Sequence, residues 1–278
     1  MGARKVPLIE LLAEKMRGTD PKVLRGLILR GDVIVDGNRL SKESFPVPRE
    51  ARVEVLAQRS FASRGGEKLS PILDLWSIEV GGKAVLDAGC STGGFTDCLL
   101  KRGASRVYAV DVGRGQLDWS LRTDRRVVVM EGTNVMGIRE GVLEPPPAFA
   151  VADLSFRSLQ GAAAHILRLT GEGRGIFLVK PQFEWEDPTP DFHGVIRSTS
   201  IMRKILMGLV DSLAGEGVFP AACACSPITG RKGNREFFLL LTREAVLEPE
   251  ALKVAIDSAI PDEPTGSVPD EPTGSVSQ

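Results

Sequence analysis

Several segments of the chain carry residues whose types and spacing suit chemistry on a bound ligand. Lys83-Ala84-Val85-Leu86-Asp87 reads as a buried strand that ends in an acid. Ala88-Gly89-Cys90-Ser91-Thr92-Gly93-Gly94 follows, and then an amphipathic helix to Arg102. A strand, a glycine-rich turn and a helix in that order make a nucleotide-cofactor site in a doubly wound sheet, because glycines let the backbone approach the ligand. A second strand over residues 106–110 ends at Asp111, where an acid can accept both ribose hydroxyls of an adenosine group. That geometry suits NAD and S-adenosylmethionine alike. The spacing is not Gly-x-Gly-x-x-Gly, and no lysine-bearing phosphate cradle is present, which favours a cofactor without phosphates.

Further charges stand at strand ends. Asp153 closes Val151-Ala152-Asp153, and Lys180 closes Phe177-Leu178-Val179-Lys180. Both fall at the carboxyl edge of a parallel sheet, where ligands of open α/β folds bind. Glu236 opens the last strand in Asn234-Arg235-Glu236-Phe237-Phe238, and an antiparallel last strand brings it to the same edge. Lys68, in Ser63-Arg64-Gly65-Gly66-Glu67-Lys68-Leu69, can join from outside the sheet. Two ammonium–carboxylate pairs beside a cofactor loop mark a candidate site.

The elements that must position these residues alternate. Strands are expected at 83–87, 106–110, 127–130, 148–152 and 175–179, with helices after 94, through 117–121, over 158–169 and near 201–214. Strands near 219–225 and 237–241 close the domain and permit an antiparallel edge hairpin. Alternating strand and helix predicts a mostly parallel sheet covered on both faces. Upstream, residues 5–30 read as two short helices, the second opened by Asp20-Pro21 and stopped by Gly31. Val33-Ile34-Val35, a hairpin turn at Asp36-Gly37-Asn38 and a strand around Val53 and Val55 complete a compact leading module. The paired glycines of 58–70 read as a linker.

Composition bounds the class. The 278 residues are 42% apolar and 26% charged, and no window approaches the ~18 apolar residues of a membrane helix. The N-terminus shows no apolar core of a secretory signal, which predicts a cytoplasmic protein. Cys90, Cys98, Cys223 and Cys225 form no Cys-x-x-Cys pair, and only His165 and His193 accompany them, so no metal site is expected. Residues 244–278 carry −7 and the remainder +6, of which +4 lies in the first 60 residues. A basic leading segment suits a polyanionic partner. Pro261-Asp262-Glu263-Pro264-Thr265-Gly266-Ser267-Val268 recurs at 269–276; acidic and proline-rich, it is expected to be disordered.

Two resemblances add to this reading. Leu24-Arg25-Gly26-Leu27-Ile28-Leu29-Arg30-Gly31-Asp32-Val33-Ile34-Val35-Asp36-Gly37 resembles the S4 RNA-binding domain. The larger part of the chain, about residues 5–243, resembles the TlyA (hemolysin A-type) family. The segments that carry it are 63–69, 87–100, 107–113, Val179-Lys180-Pro181-Gln182-Phe183-Glu184 and Ser226-Pro227-Ile228-Thr229-Gly230. The resemblance implies an S-adenosylmethionine-dependent methyltransferase acting on ribose 2′-hydroxyls of ribosomal RNA. Its implied fold is Rossmann-like, a doubly wound seven-stranded sheet behind a small α+β module. The implied organisation is an RNA-binding domain at 1–57, a linker at 58–70, an FtsJ-like catalytic domain at 71–245 and an acidic tail at 246–278.

By the same resemblance, Lys68, Asp153, Lys180 and Glu236 take the role of the catalytic tetrad. Asp87, Gly89, Ser91, Thr92, Gly93, Gly94, Phe95, Asp111 and Asn134 are assigned to the cofactor, and Arg25, Arg30, Arg39 and Arg64 to RNA. Asp191-Phe192-His193-Gly194-Val195-Ile196-Arg197 departs from the glycine-rich sequence of relatives, at a place where a loop can shape the substrate entrance. Methyl transfer needs in-line attack, so positioning comes first, and proton removal or charge stabilisation at the oxygen second. Lys180 is expected at that hydroxyl, with Asp153 and Glu236 holding its orientation. The competing classes are a cytolytic, pore-forming protein and a non-catalytic RNA-binding ribosome assembly factor.

Overall fold

The computed structural model describes residues 5–29, 31–55, 60–154, 158–185, 187–188, 192–230 and 232–261. Arg30, Ser155, Phe156, Asp191 and nearly all of the acidic repeat lie outside the described residues. The chain divides into two compact units, Met1–Ser60 and Phe61–Gln278.

The first unit packs two helices on small antiparallel sheets. β1 (Lys5–Pro7) leads into α1 (Leu8–Lys15) and α2 (Pro21–Leu29). β2 (Val33–Val35), β3 (Asn38–Leu40), β4 (Pro46–Pro48) and β5 (Val53–Val55) follow. β2 pairs with both β3 and β5, while β1 pairs with β4. Val6, expected on the first helix, instead lies in β1 opposite Val47. It still reaches the same core as Leu8, Leu11, Leu12, Leu24, Ile28 and Val33. The turn is the pair Asp36-Gly37, both at positive φ (48° and 80°), a two-residue connection whose twist matches the strands.

The second unit opens with α3 (Arg64–Leu75). Residues 64–70, expected to be linker, are therefore the first half of a helix. Ser63 caps it by accepting a bond from Gly65 N at 3.3 Å. The paired glycines serve close packing: a Cβ on Gly94 would fall 2.2 Å from Ser63 Oγ and 3.0 Å from Gly65 Cα. Chain order then runs β6 (Ala84–Ala88), α4 (Gly94–Lys101), β7 (Arg106–Asp111), α5 (Trp119–Arg122) and β8 (Val127–Glu131). β9 (Phe149–Ala152), α6 (Ala162–Arg168), β10 (Arg174–Val179), α7 (Pro181–Glu184) and α8 (Thr199–Gly215) come next. β11 (Phe219–Cys225), β12 (Phe237–Thr242) and α9 (Pro249–Ala259) complete it.

The seven strands lie in the order β11-β12-β10-β9-β6-β7-β8. All neighbours are parallel except β12, which is antiparallel to both β10 and β11. The expected doubly wound, seven-stranded α/β sheet is the observed one. Side chains alternate between two cores, as the period of two requires. Val85, Val107, Ile176 and Leu178 join α3, α4 and α5 on one face. Leu86, Tyr108, Phe177 and Val179 join α6, α8 and α9 on the other. α9 corrects the reading of 246–278 as tail: Ile256 is fully buried against the second face.

Candidate active site

Strand direction decides what meets at the carboxyl edge. β6, β7, β9 and β10 end there, and β12, running the other way, begins there. Val179 pairs with Phe237 across β10 and β12, so the next position along brings Lys180 opposite Glu236. Asp153 follows the last residue of β9, beside β10. Lys68 comes from the fifth residue of α3.

The four charges form two ion pairs. Lys68 Nζ lies 2.5 Å from Glu236 Oε2, with side chains only 11% and 5% exposed. Lys180 Nζ lies 2.5 Å from Asp153 Oδ1, and 3.4 Å from Leu154 O. Since Lys180 and Glu236 occupy facing positions, their backbones stand about one interstrand spacing, ~5 Å, apart. Buried pairs of this kind add little net stability, because desolvation offsets attraction; what they fix is orientation. The Phe183 ring lies 5.9 Å from Lys180 Nζ and walls off one side.

The glycine-rich loop lies against this set. Asp153 N donates to Ala88 O at 3.0 Å. Gly89 has φ +85°, and a Cβ there would fall 2.4 Å from Asp153 O. Only glycine lets the loop touch the tetrad's backbone so closely. Ser91, also at positive φ (47°), donates its N–H to Asp111 Oδ2 at 2.8 Å. Gly113 N donates to Asp111 Oδ1 at 2.7 Å. Each Asp111 oxygen thus takes one backbone donor and retains a lone pair for a hydroxyl. Ser91 and Thr92 are exposed, while Gly93 and Gly94 are buried where α4 starts. Asn134 is exposed beyond β8, where its Oδ1 accepts from Met136 N at 3.0 Å and caps the one-turn helix Val135–Gly137.

One assignment to the cofactor changes, that of Phe95, and Asp87 is placed below the loop. Phe95 is 3% exposed and packs against Phe238, ring centroids 6.1 Å apart, so it supports the loop from the core. Asp87 is fully buried beneath the loop rather than on its surface. Its Oδ2 accepts from Thr96 Oγ1 at 2.6 Å, and its Oδ1 has no partner among the described residues. Burial, helped by the charges of Asp153 and Asp111, pushes its pKa up to about 7 against the Thr96 bond. Burial also raises the Cys90 thiol, and the nearby carboxylates of Asp87 and Asp111 add to it.

The arginines assigned to RNA divide. Arg25 is exposed and pairs with Glu43 at 3.1 Å, and Arg39 is exposed on β3. Arg30 lies outside the described residues. Arg64 is half-buried, and its guanidinium donates to Thr229 O. One turn before Lys68 on α3, it grips the loop that carries Glu236. Its guanidinium therefore has an intramolecular partner.

Three site residues escaped the sequence reading. Glu131 accepts from Gly115, Gln116 and Leu117 N at 2.8–3.0 Å and pairs with Arg122 at 2.5 Å, which fixes the loop after Asp111. These donors hold its pKa at about 2. Glu184 accepts from Ser158 Oγ at 2.5 Å and Leu159 N at 2.9 Å, beyond Asp153. Asn234 bonds a loop some 40 residues away. An acid ending β8 was the one visible signal among them. Among the described residues, no group of three or more His, Cys, Asp or Glu is placed to hold a metal, and no helix is long and apolar enough to cross a membrane.

Comparison with known proteins gives the family of the chain. Residues 61–243 match the FtsJ-like methyltransferase family. The chain is 37% identical over 243 residues to the 16S/23S rRNA (cytidine-2′-O)-methyltransferase TlyA of Mycobacterium tuberculosis, covering 86% of this chain and 91% of that one. It is 38% identical over 213 residues to hemolysin A of Brachyspira hyodysenteriae, covering 76% and 89%. A solved structure from Streptococcus thermophilus that carries the name hemolysin superposes with a TM-score of 0.68 at 30% identity, covering 93% of this chain and 96% of that one. With the match spanning well over half its length, the chain belongs to the FtsJ-like methyltransferase family.

Proposed function

We propose that the protein methylates ribose 2′-hydroxyls of ribosomal RNA, with S-adenosylmethionine as donor. The observation that carries this reading is the double ion pair: Lys68–Glu236 and Lys180–Asp153 meet at one sheet edge against the glycine-rich loop. The residues present suit the donor. Asp111 retains acceptor capacity for two hydroxyls, and the partnerless, buried Asp87 Oδ1 under the loop suits a ligand's ammonium or an intervening water. Gly89, Ser91, Thr92 and Asn134 would line the rest. When bound, S-adenosylmethionine supplies an electrophilic methyl group on a sulfonium.

The chain's own residues supply position and charge. A ribose hydroxyl placed between the two pairs meets Lys180 Nζ, which Asp153 holds in orientation. Negative charge that develops on the hydroxyl oxygen is met by two preorganised ammonium groups with little reorganisation. Lys180 and Lys68 are catalytic in this reading, and Asp153 and Glu236 fix them. Arg25 and Arg39, exposed in the first unit, contribute phosphate contacts of an S4-like RNA-binding module. The substrate is rRNA within ribosomal subunits, which places the protein in the cytoplasm.

The test maps 2′-O-methyl groups in rRNA incubated with wild-type protein or Lys180→Ala. The wild type adds methyl groups and the variant adds none, while cofactor affinity stays within about threefold. Undiminished methylation by Lys180→Ala removes Lys180 from the chemistry. Absence of any methylated ribose with the wild type overturns the function.

A further inference from the structure

The loop ahead of α8 is anchored to both sides of the tetrad. From one side, Trp185 follows α7, five residues after Lys180, and meets the Phe192 ring edge-on with centroids 4.9 Å apart. From the other side comes Asn234, two residues before Glu236 and only 4% exposed. Its Nδ2 donates to Gly194 O at 2.6 Å, and its Oδ1 accepts from Ile196 N at 2.9 Å. One buried amide thus satisfies a backbone acceptor and a backbone donor two residues apart. Its own carbonyl accepts from Gly230 N at 2.9 Å, so Asn234 is itself held in the β11–β12 loop. That loop is fixed in turn by Arg64 at Thr229 O and by Lys68 at Glu236.

A buried amide with both ends occupied is costly to replace, since a lost partner leaves a desolvated polar group. Its partners here are backbone groups of a connecting loop, not of the sheet. Asn234 therefore fixes where the 192–197 segment lies relative to Glu236. The segment presents outward chemistry as well: Ile196 is buried, and His193 and Arg197 on either side of it are exposed. An imidazole can hydrogen-bond or stack on a base, and a guanidinium can bind a phosphate as a planar fork.

We propose that residues 192–197 form the wall of the target-nucleotide site, with Asn234 as its positioning residue and His193 and Arg197 touching the RNA strand. The proposal rests on the methyl-transfer reading above and extends it to how RNA is held at the tetrad. Asn234 acts through the loop and touches no substrate.

Kinetics on full-length protein with ribosomal subunits and S-adenosylmethionine test it. Asn234→Ala should raise KM for the RNA about tenfold while kcat changes less than about threefold. The double variant His193→Ala/Arg197→Ala alters only exposed side chains, keeps the fold, and should raise the same KM about tenfold. Cofactor affinity should stay within about twofold in both. An unchanged RNA KM in the double variant overturns the wall, whatever Asn234→Ala does. A fall in kcat with KM unchanged in Asn234→Ala makes that residue merely structural and overturns its role. Both results presuppose an active wild type. Wild-type protein that methylates no rRNA refutes the underlying function instead, and this inference with it.

Discussion

Lys180 and Glu236 occupy facing positions on antiparallel neighbours, one register step beyond the Val179–Phe237 pair. Neither is the other's ion-pair partner. Lys180 turns to Asp153, and Glu236 turns to Lys68. A ligand atom entering between them therefore finds two neutralised pairs rather than one lone ammonium. The reversal of β12 produces this arrangement: had the last strand run parallel, Glu236 would lie at the opposite edge.

Separating orientation from stability at the Lys68–Glu236 pair needs three variants. Glu236→Leu strands the Lys68 ammonium in a buried position, a loss of about 3–5 kcal/mol. Lys68→Met strands the carboxylate likewise. The double variant Lys68→Met/Glu236→Leu removes both charges at similar volume and should recover most of the lost melting temperature. Methyl transfer should fall at least about a hundredfold in all three, because removed electrostatic stabilisation is not restored by packing. Thermal unfolding and single-turnover methylation check this. A double variant as unstable as the singles, or one that regains activity, contradicts the pairing described.

How much was legible in the sequence follows from the range of each interaction. Asp87, Asp111, Asp153, Lys180 and Glu236 were visible because each ends or begins an apolar run, and strand ends of a parallel sheet share an edge. The sheet followed from the same alternation. α3 was missed because Gly65-Gly66 reads as flexible when taken alone; its partner Gly94 is needed to show that the glycines serve a close helix contact. α9 was missed because Pro249 and six acids within 244–263 outweigh the two buried residues Ile256 and Ala259 in any compositional reading. Phe95 looked like part of the loop beside it, whereas Phe238 shows it to be core. Asn234 and Glu184 act on backbone groups 25–40 residues distant, and no local pattern marks them.

Buried Asp87 should make ligand-free protein less stable as pH rises. Its carboxyl is raised to about 7 in the fold, above its ordinary 3.8, so the native state holds the proton more tightly than the unfolded chain. Stability is then fully present below pH ~4 and is lost progressively up to pH ~7, by about 4 kcal/mol at most. Asp87→Asn keeps an acceptor for Thr96 Oγ1 and removes the titration. Urea unfolding of both proteins between pH 4.5 and 8 should show a declining midpoint for the wild type and a flatter one for the variant. Parallel curves would mean that Asp87 does not carry the proton.

Glu131 should govern cofactor affinity without touching the methyl group. Its carboxylate gathers the N–H groups of Gly115, Gln116 and Leu117, so the chain returns close to Asp111 and Ser91 Oγ reaches Gln116 Oε1 at 3.3 Å. Its pKa, held at about 2, lies below the unfolded value, so its stabilisation is present above pH ~4.5 and fades as pH falls toward 2. Glu131→Gln retains one acceptor, offers the Arg122 guanidinium no charge and should cost about 1–3 kcal/mol. The freed loop should weaken S-adenosylmethionine binding about tenfold while saturated turnover holds within about threefold, because Lys68 lies on α3 and the other three charges at the ends of β9, β10 and β12. Calorimetric titration of the cofactor, set beside turnover at saturating cofactor, reads the two effects separately. A variant that binds the cofactor normally and turns over slowly would place Glu131 in the chemistry instead, and the loop would then need another anchor.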